Sequence, residues 1–99
     1  MKERLDNVTD FREDKINIEV VNSQCKLYKP GDRIIINGPL IDFDQSSNVC
    51  VTALNAMYPF VFALRKKVTP YALGFDGEVT VQCPDYCAPV VFKLVPFVD

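Results

Sequence analysis

The chain has 99 residues, nearly half of them apolar and about a quarter charged, with a formal charge of −2 and no histidine. That size holds one hydrophobic core, and the acidic balance argues against a surface that tracks nucleic-acid phosphates. The missing imidazole removes Ser-His, Cys-His and His-metal chemistry together. Carboxylates and four cysteines, Cys25, Cys50, Cys83 and Cys87, are what remains.

Residues 1–14 alternate charges and carry few apolar side chains. They are expected to form a charged, flexible arm ahead of a single domain over 15–99. No apolar leader stands in the arm. The longest apolar run, 49–64, is interrupted by Thr52, Asn55 and Pro59 and is too short to span a bilayer. The expectation is therefore a cytoplasmic protein with no membrane partner. In that compartment thiols stay reduced, which favours metal ligation or free thiols over disulfides.

Period-two alternation over 15–20 places Ile16, Ile18 and Val20 on one face of a first strand. A loop carrying Cys25 follows, and then Tyr28-Lys29-Pro30-Gly31-Asp32. Pro30 and Gly31 suit the two central positions of a type II turn, with Asp32 satisfying that turn. The three isoleucines within 33–37 predict a second strand, ended by Gly38-Pro39. Residues 42–48 are polar and are expected to be a surface loop. Ser46, Ser47 or Asn48 would cap a helix in which Cys50, Ala53, Leu54, Met57, Val61 and Leu64 fall near a 3.6-residue period. Pro59 opposes a continuous helix, so it is expected to kink there or to end near Met57. Arg65-Lys66-Lys67 would complement the helix C-terminus rather than bind nucleic acid.

Residues 68–77 predict a loop anchored by Tyr71 and Phe75. Strands over 78–82 and 90–95, joined by the short turn from Cys83 to Pro89, should pair as an antiparallel hairpin. The fold class is α+β: a small antiparallel or mixed four-stranded sheet, ordered β-β-α-β-β, with one kinked or broken helix packed on it.

Cys83 and Cys87 sit in one turn stiffened by Pro84 and Pro89, but their C-x₃-C spacing is not the C-x₂-C of zinc knuckles. Nor is there a nearby third cysteine for a compact iron–sulfur loop. Cys50 falls at a helix start, where the dipole lowers a thiol pKa; filling the helix's apolar face is its plainer fate. Cys25 has an ordinary loop thiol as its plainer reading. Three readings stand open: a shared metal site, unrelated reduced thiols, and disulfide or redox exchange. Sulfur-only ligands suit zinc or an iron–sulfur cluster. Among the acids, Asp42, Asp44, Asp76 and Glu78 belong to solvated turns, whereas Asp85 is placed to orient a ligand or to accept from turn amides.

The loop cysteine before Tyr28-Lys29-Pro30-Gly31-Asp32, Cys50 with Ala53-Leu54 and Tyr58-Pro59, and Cys83-Pro84-Asp85 before Pro89-Val90-Val91-Phe92-Lys93-Leu94 occur in a telling order. Over residues 16–94 the chain resembles a family of small uncharacterised prokaryotic proteins with widely spaced cysteines. The resemblance makes Cys25, Cys50 and Cys83 the family positions and Cys87 an addition. It implies a site without implying an activity.

The expectation is thus a small protein whose Cys25, Cys50, Cys83 and Cys87 bind zinc or an iron–sulfur cluster in a structural or accessory role. One rival is a metal-free accessory subunit, docking on a protein partner or on a second copy. Another is a thiol-based redox or small-molecule enzyme with Cys50 or Cys83 as nucleophile, disfavoured by the missing base.

Overall fold

The computed structural model describes residues 15–97, so the charged arm expected over 1–14 lies outside the described residues. Five antiparallel strands form one sheet: β1 (Lys15–Ser23), β2 (Arg33–Asn37), β3 (Leu40–Asp42), β4 (Val79–Gln82) and β5 (Val90–Phe97). Their order across the sheet is β3-β2-β1-β5-β4. One helix, α1 (Val51–Arg65), joins the two halves.

The α+β class and the predicted hairpin agree with this architecture, but the strand count does not. β3 is the additional strand. It is only three residues long and pairs with β2 through Asn37 and Leu40, across the two-residue turn Gly38-Pro39. Gly38 takes a φ of 60°, the conformation a II′ turn asks of its first central residue. A segment this short carries too little alternation to register as a strand.

Ile16, Ile18 and Val20 all point into the core, as the alternation requires. β1 pairs β2 on one side and β5 on the other, with a bulge between Val20 and Asn22. The turn at 29–32 closes through the Asp32 N–H donating to the Lys29 carbonyl at 3.0 Å. Gly31 there has a φ of 94°, which a side chain would resist.

The helix corrects two expectations. It runs unbroken through Pro59, and its N-cap is Cys50 rather than Ser46, Ser47 or Asn48. Ala53, Met57, Val61 and Leu64 form one buried stripe against the sheet, and ending the helix at Met57 would strip Val61 and Leu64 from it. Each such side chain contributes about 1.5–3 kcal/mol on burial. Pro59 lies on the opposite, exposed side, so the carbonyl it leaves without a helical partner, on exposed Asn55, faces water. The serines bind β2 instead: Ser46 Oγ accepts from Ile35 N–H at 2.9 Å and Ser47 Oγ from Arg33 N–H at 3.4 Å.

Arg65 does close the helix, but it is buried, donating to the Tyr58 hydroxyl at 3.3 Å with its guanidinium 5.4 Å from the Phe62 ring centroid. In the loop that follows, Phe75 packs edge-on against Phe60, whereas Tyr71 is exposed and anchors nothing.

Candidate functional site

Three chain segments meet at the end of the sheet where β1 and β4 finish. The first is the loop after β1, where Ser23 Oγ accepts the Cys25 N–H at 3.1 Å and the Tyr28 N–H donates to the Cys25 carbonyl at 3.3 Å. The second is the start of α1 at Cys50. The third is the β4–β5 turn, in which Cys83 N–H donates to the Val90 carbonyl at 2.9 Å. A bond of 2.9 Å from Gln24 N–H to the Pro89 carbonyl ties the first segment to the third.

These segments enclose a cavity of about 110 Å³ lined by Cys25, Cys50 and Cys83, with Tyr28, Ala53 and Asp85 also on its wall. Cys83 is buried, and Cys25 and Cys50 are half-buried. The fold therefore brings three of the four sequence-nominated thiols to one place, from positions 25 and 33 residues apart. Cys87 is not among them. It is exposed on the outside of the turn, held there because Asp85 Oδ1 accepts from the Cys87 and Ala88 N–H groups at 3.0 and 3.2 Å. Asp85 thus serves its turn amides while also facing the cavity. All four cysteines are free thiols. Among the described residues, no three cysteine or carboxylate side chains stand in an arrangement ready to hold a metal ion.

Tyr28 is the site residue that sequence reasoning missed. It is 6% exposed, and its ring meets Phe92 edge-on with centroids 5.4 Å apart. Its hydroxyl oxygen accepts the Cys50 N–H at 2.8 Å. Burial raises its pKa above the ordinary phenol value, the Cys50 N–H opposes that, and the neighbouring Cys50 and Cys25 add to the rise. The phenol therefore keeps its proton at neutral pH. A lone tyrosine ahead of a Pro-Gly turn carries no periodic signal that would have identified it.

Backbone N–H groups also stand near two of the sulfurs. Cys25 Sγ accepts the Leu27 N–H at 3.5 Å. Cys50 sits at the N-cap of α1 without a side-chain capping bond, so first-turn N–H groups and the helix dipole face its surroundings. On the other side of Leu27 and Tyr28 lies an open polar cleft of about 420 Å³. Its Lys29 and Asp32 are paired at 2.9 Å, and its Asn48 donates to the Leu27 carbonyl at 3.2 Å.

No protein-family model, curated protein or solved structure matches the chain. No helix among the described residues is long and apolar enough to cross a membrane.

Proposed function

We propose that the protein binds a single thiophilic metal ion, zinc foremost, through Cys25, Cys50 and Cys83, in a structural or accessory role. The observation that carries this reading is the shared cavity: three thiols from a loop, a helix N-cap and a hairpin turn line one small space. Three thiolates at about 2.3 Å from a common ion are a zinc-like donor set with one position left open. Holding the ion requires the three sulfurs to converge on one point in that space. The helix N-terminus offsets the added negative charge. An ion so held would cross-link three segments and stabilise the fold.

A single ion is favoured over an iron–sulfur cluster because Cys87 is turned away and a cluster ordinarily draws on four cysteines. An enzymatic role is less favoured, since no imidazole stands by any thiol. Docking on a partner protein or a second copy has its own support in Val51, Tyr58 and Phe62, exposed on one side of α1. The net charge of −2 disfavours nucleic acid as a partner.

Metal analysis of protein purified without oxygen tests the reading. About one zinc per chain, lost on Cys25→Ser, Cys50→Ser or Cys83→Ser and kept on Cys87→Ser, supports it. Metal-free protein that does not take up zinc, or loss confined to Cys87→Ser, overturns it. Recovery of metal-free protein with a stoichiometric partner would favour docking instead.

A further inference from the structure

α1 packs on one face of the sheet and, among the described residues, no α-helix lies on the other. Lys15, Asn17 and Glu19 of β1 point to that second face, opposite Ile16, Ile18 and Val20. The strand register sets Ile35 of β2 and Val95 of β5 on either side of Asn17, and Phe97 beside Lys15. Ile35, Val95 and Phe97 thus form an apolar patch around Asn17, at the end of the sheet where β1 begins.

Two observations mark this patch as a seat. Ile35 is only 3% exposed, yet it stands apart from the core on the α1 side. Asn17 Oδ1 is shut off from solvent and, among the described residues, has no hydrogen-bond partner. Buried polar atoms are rarely left so, and this one lies where a donor from a covering segment would reach it. We infer that residues 1–14 are that cover, laying Met1, Leu5, Val8 and Phe11 against the patch of Ile35, Val95 and Phe97.

Attachment, pattern and length argue for this occupant. Residues 1–14 enter the sheet at Lys15, two residues from Asn17 on the central strand, so the patch is the part of that face nearest to them. Met1, Leu5, Val8 and Phe11 are spaced by four, three and three residues, which puts them on one side of a helix. Arg12, Glu13 and Asp14 are left for the turn into β1. A helix over residues 1–11 would run about 17 Å, within the roughly 30 Å of the β1 strand. Lys2, Arg4, Asn7, Thr9 and Arg12 bring hydrogen-bond donors for Asn17 Oδ1. Three apolar side chains fall short of the roughly 800 Å² per partner that a stable dimer buries, whereas a tethered segment docks at an effective concentration of about millimolar.

NMR of the full-length protein tests this, through nuclear Overhauser effects from the side-chain protons of Leu5, Val8 and Phe11. Cross-peaks to the Ile35 and Val95 methyls are expected, with amide exchange over residues 4–11 slowed about tenfold or more against an unstructured chain. In Phe11→Asp those cross-peaks should be lost and the Ile35 and Val95 methyls should shift, while Val61 and Leu64 on the α1 side keep their positions. Random-coil shifts for Leu5, Val8 and Phe11, with no cross-peak to the sheet, overturn the inference. Cross-peaks found only between differently labelled chains in a mixed sample also overturn it, because they seat a second copy on the face. The wild-type cross-peaks decide the question even where the variant fails to fold.

Discussion

The hydroxyl of Tyr28 accepts the backbone N–H of Cys50 at 2.8 Å, so a side chain from the loop after β1 binds the residue that opens α1. This bond and the edge-on contact with Phe92 fix the phenol between the helix and the sheet. Removing the hydroxyl alone, in Tyr28→Phe, is expected to cost about 1 kcal/mol. Truncation to Tyr28→Ala should cost about 3–5 kcal/mol, since it also opens a cavity. Urea unfolding of both variants checks the ranking; equal losses would mean that packing contributes nothing at this position.

Pro59 lies inside α1 on its exposed side. An interior proline disfavours a helix by about 3 kcal/mol relative to alanine, partly offset because proline also restricts the unfolded chain. Pro59→Ala should therefore raise stability by about 1–3 kcal/mol, read as a higher urea midpoint at unchanged slope. A drop in stability would show that the proline ring makes a contact the helix depends on.

Lys67 holds a φ of 68°, the left-handed conformation, one residue beyond the helix C-cap. Its N–H donates to the Leu64 carbonyl at 3.0 Å while Val68 N–H reaches Ala63 at 3.1 Å, the paired bonds of a Schellman motif. Comparing Lys67→Gly with Lys67→Ala removes the side chain in both and isolates the backbone. The glycine variant should be the more stable by about 1 kcal/mol. Thermal melts of the pair measure the difference, which has the opposite sign inside a helix.

Asp32 is held below the ordinary carboxylate range, first by its side-chain bond to Lys29 and next by the Lys29 N–H. A lowered folded pKa means that the charged form contributes stability above the usual carboxylate value. That contribution is lost as the pH falls through the lowered one. The stability gap between wild type and Asp32→Asn should therefore be constant near neutrality and close in acid. A gap independent of pH would remove the charge from the explanation.

Wherever side chains repeat, the architecture was legible. Period-two alternation marked β1, three consecutive β-branched isoleucines marked β2, and the helical spacing of Ala53, Met57, Val61 and Leu64 marked the buried stripe of α1. The local rule against interior proline misjudged the helix because tertiary burial beyond Pro59 outweighs it. β3 escaped because three residues hold no period. The site divided similarly. That Cys25, Cys50 and Cys83 could meet was arguable from residue type, but the exclusion of Cys87 depends on how Asp85 orders its turn. Tyr28 acts through a contact 22 residues away in sequence, for which no local pattern exists.

X-ray absorption at the zinc edge of the zinc-loaded protein tests the central claim most directly. Three sulfur neighbours at about 2.3 Å and one lighter atom are expected, unchanged in Cys87→Ser. A shell of four sulfurs, or one made only of oxygen and nitrogen, would contradict it.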